Sequence, residues 1–185
     1  MRKRRVVLRK VFVLMALFML GIGIVVAIWK NSPEYEEVDL SMPMTPTGNE
    51  KAPNFRLPRL FGGYVELKEF RGQTPVLLYF WATWCPSCRE VKLKVDKLRE
   101  EIDRGRLAIL AINIGSNDPL ERVVDYVKHN PFAVPVLYDR KSEISTTYGA
   151  FGVPLFVLIN REGKIVYWGH QLPDVKKWLN TTQRG

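Results

Sequence analysis

The stretch PVLLYFWATWCPSC, Pro75–Cys88, decides how the chain is read. Its first half, PVLLYFWA, is an unbroken apolar run, as expected of a strand whose sheet is covered on both faces. Its second half holds both cysteines of the 185-residue chain, Cys85 and Cys88, with only Pro86 and Ser87 between them. A buried strand running into a proline-led helix start puts Cys85 at the helix's open end, because proline suits the first turn, where an N–H has no partner. Val91, Val95, Leu98 and Ile102 then recur at helical spacing until Gly105 ends the helix.

The rest of the region alternates in the same way. LAILAINI reads as a second buried strand, and DPLERVVDYVKHN as a helix with Asp118 as its cap and Pro119 at its first position. VPVLYD is a short strand and SEISTTYG a short helix. PLFVLIN and REGKIVYWG form a hairpin turning at Glu162 and Gly163, and PDVKKWL closes as a helix. Upstream, FRLPRLFGGYVEL is a hairpin around Gly62 and Gly63. Strands alternating with helices imply an α/β domain: a mostly parallel sheet with helices on both faces, to which the hairpins add antiparallel edges.

The N-terminus is of another kind. Residues 1–10, MRKRRVVLRK, carry six Lys or Arg and no acid, and Val11–Trp29 is a run of 19 residues without a charge. That is long enough to span a bilayer as a helix, and it lacks the short core and small-residue cleavage site of a signal peptide. The expectation is an uncleaved anchor, with the cations on the cytoplasmic side and Trp29 at the outer interface. Residues 30–51 are polar, with three prolines, and suit a flexible tether with a reach of roughly 25 Å. Residues 52–185 would then be one domain outside the cell membrane. Removing the six N-terminal cations from the 28 leaves 22 bases against 19 acids, so the net charge of +9 falls to +3 outside the anchor. No basic cluster with interleaved aromatics appears there, which argues against nucleic-acid binding.

Two cysteines with two residues between them can be a staple, a metal site or a switch. A bridge closing about four residues stabilises by only about 2 kcal/mol in the chain-entropy model. Structural zinc takes four ligands, and there is no second cysteine pair. A copper-binding carrier using both cysteines, with His170 as the added ligand, stays open as the alternative. For a switch, the free amides of Ser87 and Cys88 would point at the Cys85 sulfur, and the helix dipole would favour its thiolate. Cys85 would attack, and Cys88, one turn in and more buried, would resolve the mixed disulfide.

FWATWCPSCR resembles the active-site segment of thioredoxin-like proteins. APNFRL, RGQTPVLLYFWATWC, AINI, VPVLYD and GVPLFVLINREGKIV resemble, in order, the membrane-anchored TlpA/ResA branch of that family. The resemblance implies a thioredoxin fold, with a central mixed sheet, helices on both faces and an N-terminal β-hairpin extension, here preceded by one transmembrane helix. It implies thiol–disulfide exchange on exported protein disulfides, for example those of apocytochrome c, with a membrane thiol carrier as electron donor and no cofactor. By the same likeness Pro154 matches the family's cis-proline, Val153 offers its backbone to substrate, and Trp84 and Pro86 border the cysteines. The chain departs from the pattern at Tyr79, where relatives carry an acid or Asn, and at Val91 and Leu93, where the anchored branch carries glutamate and proline. Tyr79's hydroxyl or a water would have to replace any missing base. The peroxiredoxin pattern P-x-x-x-T-x-x-C would need Pro and Thr where Leu78 and Ala82 stand.

Overall fold

The computed structural model describes residues 50–182 and, ahead of them, the single position Met15. The expected basic N-terminus, the expected span at 11–29 apart from Met15, and the expected linker up to residue 49 lie outside the described residues. Among the described residues no helix is long and apolar enough to cross a membrane.

The N-terminal hairpin forms where Gly62 and Gly63, both at positive φ, reverse the chain between β1 (Arg56–Pro58) and β2 (Tyr64–Glu66). It is a two-stranded sheet of its own rather than an edge of the main one. Leu57 and Val65, paired across it, turn inward. A 3-10 turn over Leu67–Phe70 leads into β3 (Val76–Trp81), in which all six residues are buried. The buried run reflects its place at the centre of a five-stranded sheet. β4 (Ala108–Asn113) and then β5 (Val136–Tyr138) lie on one side of it, β6 (Leu155–Ile159) and then β7 (Ile165–Gly169) on the other.

The β3–β4 and β4–β5 pairs are parallel, and the β3–β6 and β6–β7 pairs antiparallel. Antiparallel pairing therefore reaches the central strand and is not confined to hairpins, because β6 enters on the far side of β3 running the opposite way. Parallel neighbours need a long crossover. The helices α1 (Pro86–Glu101) and α2 (Leu120–His129) supply the two crossovers on this side. Alternate β3 side chains serve opposite faces: Tyr79 and Trp81 meet α1 and α2, while Phe80 meets Tyr148, which follows the short helix α3 (Glu143–Thr147). The last helix, α4 (Val175–Thr182), buries Val175 and Leu179, and its Lys176 pairs with Glu101 at the end of α1.

Two local expectations need correction. Helix α1 stops at Glu101, short of Gly105, because Ile102 takes an extended conformation with its side chain in the core. Its inward stripe is Cys88, Lys92, Val95 and Leu98, and Val91 is only half-buried. A lysine can occupy that stripe because its Nζ meets Asp96 Oδ2 at 2.5 Å and lies 4.9 Å over the Phe132 ring, so the buried cation has both a counter-charge and a π face.

Candidate active site

The three parallel strands end together, with Trp81, Asn113 and Tyr138 in register, and the chain leaving β3 crosses this rim. Four residues on, Cys85 caps α1 with extended dihedrals (φ −88°, ψ 108°), and Pro86 fills the first helical position. The Cys88 N–H then donates to Cys85 Sγ at 3.1 Å, and the Ser87 hydroxyl lies 3.5 Å from the same sulfur. The expected pair of amides is thus one amide and one hydroxyl. Cys85 and Cys88 are joined by a disulfide of 2.07 Å, with Cα atoms 5.3 Å apart.

The expected contrast in burial is absent: each cysteine is 2% exposed. Cys85 is covered from the opposite side by the loop before β6. There the Val153–Pro154 peptide is cis, and the Val153 carbonyl oxygen lies 3.5 Å from Cys85 Sγ. A disulfide sulfur has no proton to give, so this is a contact; the reduced thiol could donate across it. Pro154 is buried, Val153 half-buried, and Pro86 exposed beside the sulfurs. Trp84, 46% exposed, is held by its indole N–H on Ser116 O at 2.9 Å. Phe151, in the same loop as Val153, is also an exposed apolar side chain. The fold therefore brings Cys85, Cys88, Val153 and Pro154 into one group, with Trp84 beside it.

Tyr79 does not stand in for a base. Its hydroxyl donates to Cys88 O at 2.8 Å, its ring stacks on Phe156 at 5.1 Å, and burial pushes its pKa well above the usual tyrosine value. The proton is committed to the backbone. His170 likewise directs Nδ1 to Pro154 O at 2.8 Å, and among the described residues no three His, Cys, Asp or Glu side chains gather as metal ligands.

Asp118 also stands elsewhere than its sequence pattern suggests. Pro119, not Asp118, is the N-cap of α2, and no side chain caps that helix. Asp118 instead turns inward, 1% exposed, and accepts from Thr83 N, Thr83 Oγ1 and Asn113 Nδ2 at 2.7, 2.5 and 2.7 Å. Polar Asn113 at the end of an apolar strand and Thr83 beside the cysteines were the available signals.

A family model described as the AhpC/TSA family matches residues 49–168. The thiol-disulfide oxidoreductase ResA of Bacillus thuringiensis subsp. konkukian is 33% identical over 117 residues, which are 63% of this chain and 66% of that protein, so the match spans just under two thirds of the relative. The thioredoxin-like protein YneN of Bacillus subtilis is 32% identical over 117 residues, 63% of this chain and 67% of its own. Among solved structures, a protein assigned as the thiol:disulfide interchange protein DsbE of Chlorobium tepidum superposes with a TM-score of 0.62 at 26% identity, covering 76% of this chain and 96% of that one. The domain has the thioredoxin-like α/β fold with a central mixed sheet.

Proposed function

The chain belongs to the AhpC/TSA family, and from that premise we propose that it is a membrane-tethered thiol–disulfide oxidoreductase that reduces disulfides of exported proteins. The observation that carries the reading is the sulfur pair itself: a disulfide across the first turn of α1, with Cys85 Sγ receiving the Cys88 amide and facing the Val153–Pro154 loop. A sulfur at a helix N-terminus gains from the dipole and from a fixed donor as it becomes anionic.

In the reducing direction the Cys85 thiolate attacks one sulfur of a substrate disulfide. A Cys85–substrate bond forms, and the other substrate sulfur leaves as a thiolate and takes up a proton. Cys88, deprotonated, then attacks Cys85 Sγ, closing the 85–88 disulfide and releasing the second substrate thiol. Two electrons pass from the protein dithiol to the substrate. A membrane thiol carrier returns them by the same exchange in reverse. Val153 pairs through its backbone with the substrate strand, and Trp84, Pro86 and Pro154 shape its seat.

Residues 11–29 anchor the chain once in the cell membrane with the N-terminus inside, and residues 30–51 tether the domain on the outer side. What supports this is the uncharged 19-residue run behind six cations. Apocytochrome c, with its paired haem-binding cysteines, is the substrate the TlpA/ResA resemblance favours.

The test is turnover by the full chain. Reduced protein should reduce insulin and an oxidised apocytochrome c peptide, and Cys85→Ser should abolish both. Cys88→Ser should instead accumulate a mixed disulfide with the substrate. A Cys85→Ser protein that keeps full reductase activity would sink the assignment.

A further inference from the structure

We propose that Asp118 is a positioning residue for the redox loop and a fixed negative charge that restrains the acidity of Cys85, making the couple more reducing. The inference rests on the dithiol-exchange reading above. All three donors to the Asp118 carboxylate are neutral: Thr83 N and Asn113 Nδ2 on Oδ2, and the Thr83 hydroxyl on Oδ1. The Asp118 carbonyl accepts from Tyr138 OH at 3.1 Å, so its backbone is held as well. Asn113 has no freedom to leave, since its Oδ1 accepts from Gly115 N at 3.0 Å. Ser116, two residues before Asp118, takes the Trp84 indole. The turn after β4 therefore grips both Thr83 and Trp84, the two residues ahead of Cys85.

That grip carries an electrostatic consequence. Thr83 and Cys85 are separated by roughly 7 Å of chain. A carboxylate bonded to Thr83, about 10 Å from the sulfur in a medium of effective dielectric near 20, changes a charge equilibrium on the order of tenfold. Its sign opposes the thiolate, against the helix dipole and the Cys88 amide that favour it. Above the thiol's titration midpoint the reduced form carries the thiolate, so a charge that disfavours it drives the pair toward the disulfide and strengthens it as an electron donor. Other ionisable groups on this corner include Tyr138, with Glu121, Arg140 and Asp139 around it, and Tyr79, whose hydroxyl donates to Cys88 O; Asp139 is engaged by Ser145. On the sulfur's other side His170 faces the Pro154 carbonyl, and Arg89 is the first charged residue of α1.

The experiment compares the full chain with Asp118→Asn and Thr83→Ala, reading the pH profile of Cys85 alkylation by iodoacetamide and the dithiol–disulfide equilibrium with dithiothreitol. Asp118→Asn removes the charge but keeps an oxygen for two of the three donors. Its alkylation midpoint should fall by about one pH unit, and its equilibrium should move about tenfold toward the dithiol. Thr83→Ala keeps the charge and removes a donor that offsets it, so its midpoint should rise, by a smaller amount. This opposite sign keeps the idea testable if Asp118→Asn does not fold. A folded Asp118→Asn with the parent's profile, or a Thr83→Ala midpoint that stays or falls, overturns the proposal. If the parent pair exchanges no electrons with dithiothreitol, the dithiol reading fails and this inference with it; a parent that exchanges while Asp118→Asn tracks it removes Asp118 alone.

Discussion

The redox corner and the N-terminal hairpin tip use the same pieces to opposite ends. Each has a glycine at positive φ, Gly115 at 68° and Gly62 at 84°, and each exposes a large aromatic, Trp84 at 46% and Phe61 at 65%. At the corner, a Cβ on Gly115 would lie 2.2 Å from the Asp139 carbonyl oxygen, and the Trp84 indole is hydrogen-bonded to Ser116. At the tip, a Cβ on Gly62 would meet nothing within 4 Å, and the neighbouring Tyr64 ring, 57% exposed, has the Arg56 guanidinium over it at 4.1 Å. Positive φ is a local requirement in both. What differs is whether the surrounding backbone is packed against the turn, and that difference separates a turn that holds chemistry in place from one that only reverses the chain.

The sharpest way to break this comparison is Gly115→Ala. It combines a left-handed backbone with a clash against the main chain of Asp139, just past β5, so it should cost roughly 3 kcal/mol or more and lower the melting temperature by several degrees, with loss of reductase activity. A variant that melts like the parent would mean that the corner is as loose as the hairpin tip.

The interior behind the corner sets the next effect. Burial holds the pKa values of Tyr79 and Tyr148 above their ordinary 10.0, and their hydroxyls donate to Cys88 O and Pro53 O. The folded state therefore keeps these protons more tightly than the unfolded chain does. Their contribution to stability is complete below about pH 10 and is lost as pH rises above it, by up to about 1.4 kcal/mol per group per pH unit. Thermal melts from pH 8 to 11 should be flat and then fall, and Tyr148→Phe should make the fall shallower. An equal fall in the parent and in Tyr148→Phe would count against this accounting.

Gly62→Ala should cost only about 1 kcal/mol, the dihedral penalty without a clash, and Phe61→Ser less than about 0.5 kcal/mol, as for a surface position. Both should leave insulin reduction unchanged. A loss of turnover in either would show that the hairpin tip belongs to the working surface.

Much of this was legible in one dimension because the signals are local. An apolar run such as Val76–Trp81 needs two covered faces, and a proline after Cys85 allows a helix start there. The hairpin glycines announce reversals. The misread positions share a different cause. Asp118 before Pro119 carries the local pattern of a helix cap, and it is Thr83, in the turn after β3, and Asn113, at the end of β4, that draw its carboxylate inward. Val91 has the spacing of an inward position, but the stripe that packs is the one holding Lys92, over which Asp96 and Phe132 close. Tyr79 offers a hydroxyl to any reading, and it is the Cys88 carbonyl across the helix interface that takes its proton.

The sequence by itself determined the α/β alternation, the helix opening at Cys85 and the place of Cys88 one turn further on. These follow from residues a few positions apart, whose backbone preferences and periodicity act without the rest of the chain. Only the tertiary structure decided that the Val153 carbonyl stands against Cys85 and that a buried carboxylate on another loop holds the segment leading to it. Those contacts join residues 68 and 35 positions apart, so they exist only once the sheet has brought its strand ends together.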